Sequence, residues 1–262
     1  MNFDIIALDL DGTLLNESHQ LTPGTREAVR EAAQRGAEIV LCTGRGPAQT
    51  IPILEELGLA GTIITHNGAA TVDAGTKEVI HQFTIDPDKL KPFVEYCLYH
   101  GVHYDVSTAF ELYIETITEE AEKMYGYFQA TPIWRKPGTE LPPDLVKFTL
   151  FGSIEAMDAV QRDWESWSAD LKWIRSGELF IDVQHPHANK GQALEKLALI
   201  RGVEPGRIMA IGNYYNDIGM LTYAGLGIAM DNSPDEVKAA AKAVTLSNEE
   251  EGVRKALLDY AW

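Results

Sequence analysis

The chain has few cysteines, few positive charges and no long hydrophobic run. Its 262 residues contain two cysteines, Cys42 and Cys97, which are too few for a disulfide framework and indicate a reduced, cytoplasmic location. No window approaches the roughly 18 uncharged apolar residues of a membrane helix. The first segment, "MNFDIIALDLDG", carries acids and no basic stretch, so we expect no signal peptide.

Positive charge is scarce relative to negative charge. There are 39 Asp and Glu residues against 22 Lys and Arg residues, which gives a formal net charge of −17. A surface this acidic repels nucleic acids and anionic membranes, so we expect neither as a partner. A small anionic substrate is still compatible with the composition, because a bound cation can reverse the field inside a cleft.

The first 83 residues alternate between strand and helix patterns. Residues 3–9 form a nearly continuous apolar run, which is typical of a strand covered on both faces. A helix with Thr22 as N-cap and Pro23 at its first position follows. The segments "AEIVLCTGR" and "TIITHNGA" read as two further strands, with a helix over 48–57 between them. This order predicts right-handed crossovers and a parallel sheet.

The middle of the chain has a different pattern. Its strands, such as "VHYDVS" and "VKFTLFG", carry more polar positions, and helical patterns cover 88–100, 119–128 and 154–169. Half-polar strands fit a sheet with helices on one face and solvent or a cleft on the other. The parallel pattern then resumes through "KGQALEKLALIRG", "RIMAIGN", "LGIAM" and "SPDEVKAAA", a helix for which we expect Ser233 to be the N-cap.

These patterns together predict an α/β protein with a discontinuous first domain. Residues 1–83 and 185–262 are expected to form a Rossmann-like parallel-sheet core, and residues 84–184 an inserted α+β domain.

Polar side chains follow the predicted core strands at the point where each strand ends. They are Asp9 and Asp11, Thr43-Gly44-Arg45, His66-Asn67-Gly68, Gly212-Asn213 and Asn216-Asp217, with Lys190 at the start of the helix after the insertion. In an open parallel sheet, ligands bind at the carboxyl ends of the strands. Carboxylate and amide oxygens suit Mg²⁺, and such a cation would offset the repulsion between two aspartates on one face of the chain.

Four motifs in order resemble those of the haloacid dehalogenase-like phosphatases, in particular the Cof-type subfamily with a type II α+β cap. They are "DLDGTLL", "CTGR", "NKG" and "GNYYND", and "HNGA" is also typical of the subfamily. The resemblance covers the whole chain. It implies a Mg²⁺-dependent phosphatase of a small phosphorylated metabolite, such as a sugar phosphate, flavin mononucleotide or pyridoxal phosphate. It also implies that the inserted domain is a cap that closes over the active site and selects the substrate.

The resemblance also implies roles for individual residues. Asp9 is similar to the nucleophile that forms an aspartyl-phosphate, and Asp11 to the general acid and base. Thr43 and Lys190 resemble the hydroxyl and the ammonium group that hold the phosphoryl oxygens. The phosphate or substrate would further contact Gly12, Gly44, Arg45, Asn67 and Asn216. The metal ligands would be Asp9, the main-chain carbonyl of Asp11, Asn213 and Asp217.

One position departs from the family pattern, because Asn213 stands where the family usually has aspartate. An amide offers a carbonyl oxygen but no charge, which predicts weaker Mg²⁺ binding. Two alternatives therefore stay open: a phosphomutase acting on sugar phosphates, and a phospho-ligand binding or regulatory protein with weakened catalysis. The motifs leave the oligomeric state open.

Simpler interpretations of the same residues also remain at this stage. Asp9 and Asp11 could form an N-cap and turn after a strand, and Thr43-Gly44-Arg45 a plain turn before a helix. Asn67 is equally consistent with a left-handed turn residue before Gly68.

Overall fold

The computed structural model of the chain describes residues 2–128, 130–165, 167 and 170–262. These residues form two compact units. The first comprises the described residues up to Gln82 together with Asn189–Trp262, and the second comprises Phe83–Ala188. The boundaries expected from the sequence lie at 83/84 and 184/185. Their interpretation as the borders of a catalytic core and a cap stays a prediction.

The secondary structure follows the alternation read from the sequence. The strands are β1 (Ile5–Leu8), β2 (Glu38–Cys42), β3 (Thr62–Thr65), β4 (Ala70–Asp73), β5 (Val79–Gln82), β6 (His103–Ser107), β7 (Leu112–Ile114), β8 (Ile133–Trp134), β9 (Lys147–Phe151), β10 (Lys172–Gly177), β11 (Phe180–Gln184), β12 (Ile208–Gly212), β13 (Leu226–Ala229) and β14 (Ala243–Val244). The helices are α1 (Pro23–Gln34), α2 (Pro47–Glu56), α3 (Pro87–His100), α4 (Glu119–Tyr127), α5 (Ile154–Trp164), α6 (Lys190–Arg201), α7 (Ile218–Tyr223), α8 (Asp235–Ala240) and α9 (Gly252–Tyr260). The predicted end of the third middle helix, at residue 169, lies outside the described residues.

The first unit is built on an eight-stranded sheet in the order β14-β13-β12-β1-β2-β3-β4-β5. The strands from β14 to β3 are parallel, and β4 and β5 extend the edge in antiparallel fashion. Strand β1 lies in the interior, with Ile5 opposite Ile208 on one side and Glu38 on the other. Its four residues are buried because both neighbours and the flanking helices cover them.

Local sequence signals explain where α1 begins, whereas α8 begins one residue later than predicted. Helix α1 starts at Pro23, and the Thr22 hydroxyl accepts a hydrogen bond from the main-chain N–H of Thr25. The expectation for Ser233 is wrong. The N-cap of α8 is Pro234, whose extended ψ of 152° delays the helix to Asp235, and the Ser233 hydroxyl is buried instead of capping the helix.

The second unit contains a six-stranded sheet in the order β10-β11-β9-β6-β7-β8. One face packs on α3 and α5 through an apolar core that includes Phe93, Phe148 and Trp164. The other face carries polar residues directly opposite one another on three neighbouring strands, namely Asp105, Thr149 and Asp182.

Helix α4 departs from the expectation that all helices of the second unit share one face of its sheet. It packs on the polar face, where the Tyr125 hydroxyl donates to Oδ2 of Asp105 at 3.0 Å. The described helices of the chain are all too short or too polar to cross a membrane.

Candidate active site

A buried ammonium group joins the ends of two central strands. Asp9 follows β1 and is 5% exposed, and Asp217 lies beyond the end of β12 and is fully buried. The Nζ atom of Lys190 donates to Oδ1 of Asp9 and to Oδ1 of Asp217, at 2.6 Å in each case. Lys190 is 1% exposed, so its charge is compensated by these two carboxylates rather than by water.

The electrostatics of this triad follow from its burial. Burial and the neighbouring Asp217 raise the pKa of Asp9 above its usual range, against the opposing pull of Lys190. Burial opposes the charge of Lys190 as well, but the two carboxylates outweigh it and raise the lysine pKa. Lys190 is therefore protonated at neutral pH and favours the ionised form of Asp9, which is the form that can act as a nucleophile.

The main chain of two elements positions Lys190. It is the first residue of α6, and the side chain of Asn189 caps that helix by accepting from the N–H of Gln192 at 2.9 Å. Gly68 has a φ of +90°, and a Cβ atom there would lie 2.3 Å from the main chain of Asn189. The turn of "HNGA" therefore needs glycine at this position, since any side chain would push α6 and Lys190 away.

Asp217 also shapes the loop after β12. Its second oxygen, Oδ2, accepts from the main-chain N–H groups of Asn213 at 2.9 Å and Tyr214 at 3.0 Å. Both oxygens of Asp217 thus have donors within the protein. Its predicted role as a metal ligand stays a prediction, and its contacts make it the residue that fixes Lys190 and the main chain of Asn213.

Asp11 lies beside two basic side chains. Nε of Arg45 donates to Oδ2 of Asp11 at 2.9 Å, and the second guanidinium nitrogen donates to Oδ1 at 2.5 Å. Nδ1 of His19 lies 3.2 Å from the same Oδ1. Arg45 therefore contacts Asp11, the expected general acid and base. The contact with phosphate that the sequence predicts for Arg45 stays a prediction.

The remaining predicted substrate residues lie in three loops that meet at this edge of the sheet. Thr43 is 1% exposed, and its hydroxyl accepts from the N–H of Arg45 at 3.1 Å. Asn67 has a φ of 55°, which agrees with the turn interpretation, and its Oδ1 accepts from Nδ2 of Asn216 at 3.0 Å. A Cβ atom on Gly44 would lie 3.1 Å from Oδ1 of Asn67, so these loops are closely packed.

Gly12 has a conformation that only glycine adopts easily. Its φ is +76°, and a Cβ atom would lie 2.3 Å from a terminal atom of the Asn213 side-chain amide. The glycine of "DLDGTLL" therefore lets the loop after β1 lie directly against the loop after β12.

The donor set at this contact fits Mg²⁺. One terminal atom of the Asn213 amide lies 3.1 Å from Oδ2 of Asp9 and 3.1 Å from the main-chain oxygen of Asp11, and the oxygen Oδ1 takes this position when the amide is turned toward a cation. Mg²⁺–oxygen bonds of about 2.0–2.1 Å in an octahedron place neighbouring ligands about 3 Å apart, which is the spacing seen here. No group of three His, Cys, Asp or Glu side chains suited to a metal occurs in the described part of the chain. A cation here would instead be held by a carboxylate, an amide and a carbonyl oxygen.

The sequence as a whole matches one protein family, described as haloacid dehalogenase-like hydrolase, over residues 6–257. The chain belongs to this family. This match confirms the family predicted from the motifs and the prediction that the chain is a hydrolase. The fold class predicted from the strand and helix patterns is confirmed by the parallel sheet described above.

Several relatives of this hydrolase are similar along nearly their whole length. The 5-amino-6-(5-phospho-D-ribitylamino)uracil phosphatase YwtE of Bacillus subtilis is 30% identical over 275 residues, which cover 95% of this chain and 94% of the relative. The pyridoxal phosphate phosphatase YbhA of Escherichia coli is 28% identical over 271 residues, covering 95% of each chain. The solved structure of the HAD subclass IIB sugar phosphatase BT4131 has a TM-score of 0.80 and 25% identity, and covers 98% of both chains.

Two residues of this hydrolase contact the site without belonging to any motif read from the sequence. His19 contacts Asp11, as described above, and has a positive φ of 56°. Asn232 donates from Nδ2 to the main-chain oxygen of Gly12 at 2.8 Å. No sequence pattern marks His19 as a site residue. Asn232 follows the end of the parallel strand β13, and this position alone could have indicated a site residue.

Proposed function

We propose that the chain is a Mg²⁺-dependent phosphatase that hydrolyses small phosphorylated metabolites through an aspartyl-phosphate on Asp9. One observation carries the proposal. In the buried Asp9 carboxylate, Oδ1 accepts a hydrogen bond from the Lys190 ammonium group. The other oxygen, Oδ2, lies beside the Asn213 amide, which in turn contacts the main-chain oxygen of Asp11, and these oxygens suit a cation. A carboxylate held between two positive charges can approach an anionic phosphoryl group that would otherwise repel it.

In the first half-reaction, a carboxylate oxygen of Asp9 attacks phosphorus, and the bond from phosphorus to the leaving oxygen breaks. The protonated carboxyl of Asp11 donates its proton to that oxygen, so the product leaves as a neutral alcohol. Asp11 is two residues beyond Asp9. In the structure both of its oxygens accept hydrogen bonds from Arg45, as an ionised carboxylate does, so the acid step requires Asp11 to take up a proton and give up one of these two bonds.

In the second half-reaction, water attacks the phosphorus of the aspartyl-phosphate. The carboxylate of Asp11 accepts a proton from the water, and the bond from phosphorus to Asp9 breaks. Inorganic phosphate leaves, with Asp9 ionised and Asp11 protonated again, so the cycle is balanced.

The surrounding groups hold the charge of the phosphoryl oxygens. Lys190 neutralises Asp9 and the transferring group, and Thr43 supplies a hydroxyl beside it. Main-chain N–H groups at Gly12 and Gly44 can approach the phosphate closely because neither residue has a side chain. Asp9, the carbonyl of Asp11 and Asn213 would hold Mg²⁺, with Asp217 behind them. When bound, this ion supplies positive charge that stabilises the transferring phosphoryl group.

The substrate class is a phosphate monoester of a small metabolite. The named relatives act on a phosphorylated ribitylaminouracil, on pyridoxal phosphate and on sugar phosphates, which supports this class. We propose that the unit Phe83–Ala188 selects among leaving groups, as the resemblance to the Cof-type phosphatases with an inserted cap implies.

Phosphate release from a panel of phosphorylated metabolites tests this function. The panel includes a chromogenic phosphate ester, pyridoxal phosphate, flavin mononucleotide and several hexose phosphates, each with Mg²⁺ and with a chelator. We expect free phosphate to form only with Mg²⁺, and none with Asp9→Asn. Transfer of the phosphate to another sugar position would show a mutase. Tight binding of a phosphate ester without turnover would show a binding protein.

A further inference from the structure

The side-chain amide of Asn213 faces a cluster of oxygen atoms, and each of its two orientations makes a different interaction with that cluster. One of its two terminal atoms lies 3.1 Å from Oδ2 of Asp9, 3.1 Å from the main-chain oxygen of Asp11 and 3.2 Å from the hydroxyl oxygen of Thr13. Oxygen and nitrogen of an amide have nearly the same shape, so a half-turn about the last side-chain bond exchanges them without moving other atoms.

With the nitrogen at this position, the amide satisfies its neighbours by itself. Its two hydrogens match two acceptors that have no hydrogen of their own, Oδ2 of Asp9 and the carbonyl of Asp11. The hydrogen bond to a buried carboxylate is of the charge-assisted, stronger kind. In this orientation, the partial positive charge of the amide takes the place of a cation.

With the oxygen at this position, three oxygens face one another, and the arrangement becomes favourable when a cation lies between them. The oxygen-to-oxygen distances of 3.1 Å are those of neighbouring ligands around Mg²⁺, as described above. The main chain of Asn213 does not need to move, since Asp217 holds its N–H at 2.9 Å.

We infer that the side-chain amide of Asn213 is a switch with two orientations, and that its NH₂ group occupies the place of the cation when no cation is bound. Without a divalent cation, its NH₂ group donates to Asp9 and to the Asp11 carbonyl. Cation binding requires the amide to turn and present its oxygen. The inference rests on the proposed Mg²⁺-dependent function, and it concerns how the site behaves before the metal binds.

An aspartate at this position could not act as such a switch. It has no hydrogen to donate in either orientation when ionised, and it would add a second carboxylate beside the buried Asp9, which disfavours the charged forms of both. The Asn213 chain should therefore be stable without metal and bind metal weakly. The Asn213→Asp chain should depend on metal for stability and bind it more tightly.

Nuclear magnetic resonance of the side-chain amides tests the switch directly and without substrate. The resonances of the Asn213 amide are assigned by their loss in Asn213→Asp. On addition of Mg²⁺ to chelator-treated protein, we expect both protons of this amide to shift and to exchange faster with solvent. The buried amide of Asn248, which donates to the carbonyl of Leu15 at 3.0 Å, is the internal control and should not respond.

Thermal unfolding of the variants provides the second measurement. In chelator, Asn213→Asp should melt below the wild type. Mg²⁺ should raise its melting temperature more than that of the wild type, with a dissociation constant about tenfold lower by calorimetry. Asn216→Asp, which adds the same charge three residues away, is the matched variant and should not acquire this metal dependence.

The outcomes separate the switch from the proposed function. If calorimetry shows Mg²⁺ binding while the Asn213 amide does not respond, the switch is wrong and the phosphatase proposal stands. If the amide responds but no phosphate ester is hydrolysed, the phosphatase proposal is wrong and the switch stands. Absence of Mg²⁺ binding to both proteins would overturn the switch and the metal dependence together.

Discussion

Arg45 holds both oxygens of the Asp11 carboxylate, with Nε 2.9 Å from Oδ2 and the second nitrogen 2.5 Å from Oδ1. A planar guanidinium with two parallel hydrogen bonds fixes the plane of a carboxylate, which a single ammonium cannot do. Arg45 is thus a positioning residue for the group that we propose as general acid and base.

Replacement of Arg45 should affect poor leaving groups more than good ones. General acid catalysis contributes about 10²–10⁴-fold, and we expect Arg45→Lys to lose about tenfold in kcat for an alkyl phosphate. A nitrophenyl phosphate, which needs little protonation, should lose far less. Steady-state kinetics on the two esters give the comparison. An equal rise in KM for both esters, with kcat unchanged, would mean that Arg45 contacts the phosphate instead.

Asp9→Asn should abolish turnover and preserve the fold. The amide has nearly the shape of the carboxylate but cannot form an acyl phosphate. Phosphate release with Mg²⁺ gives the rate, and trapping with beryllium fluoride should fail in the variant. Retention of more than about a tenth of the wild-type rate would exclude Asp9 as the nucleophile.

Lys190→Met should destabilise the protein by about 3–5 kcal/mol, because it leaves two buried carboxylates without their counterion. Urea unfolding in the presence of a chelator measures the loss in the free energy of unfolding. The double variant Lys190→Met with Asp217→Asn serves as the control, and it should recover part of the loss because one stranded charge is gone. A loss below about 1 kcal/mol in the single variant would mean that the buried triad contributes little to stability.

The polar face of the second unit predicts a pH dependence of stability. Burial, with a smaller contribution from Asp182, raises the pKa of Asp105 to about 7, against the opposing influence of Lys147 and Tyr125. The folded state therefore holds a proton that the unfolded state releases near its ordinary value of 3.8. Between these two values, the folded state binds more protons, so the free energy of unfolding falls as the pH rises.

Asp105→Asn removes this dependence, since an amide does not ionise. Relative to the variant, the wild type should lose stability between about pH 4 and about pH 7, by at most about 4 kcal/mol at 1.4 kcal/mol per pKa unit. Urea unfolding at several pH values measures the difference. The exposed carboxylate Asp88 gives a control, and Asp88→Asn should keep the wild-type pH dependence. Parallel curves for the wild type and Asp105→Asn would show that Asp105 is already ionised in the folded state.

The sequence allowed the strand ends of the parallel sheet to be predicted because each combines an apolar run with a turn residue. Asp9, Thr43 and Asn213 lie at the same edge for this reason. The antiparallel strands β4 and β5 were not anticipated, since no α-helix separates them from β3 and the alternation of strand and helix therefore does not reveal them.

Contacts that depend on side-chain direction could not be predicted from the sequence. Nothing in "CTGR" indicates that the Arg45 side chain contacts Asp11. Nothing in the sequence around His19 indicates that this residue contacts Asp11 as well. The N-cap of α8 shifted by one residue because Pro234 is itself extended. Motifs thus gave the residues of the site, whereas the packing of its loops decided which of them touch.

The position of β1 between β2 and β12 has a consequence for synthesis on the ribosome. Asp9 and Lys190 are 181 residues apart in sequence, and β12 begins only at Ile208. A growing chain therefore contains all of Phe83–Ala188 before it contains the second neighbour of β1 or the counterion of Asp9. The inserted unit, whose core is made only of its own residues, can fold first. Until α6 and β12 have left the exit tunnel, the nascent chain has an unpaired edge at β1, and such an edge can pair with another chain.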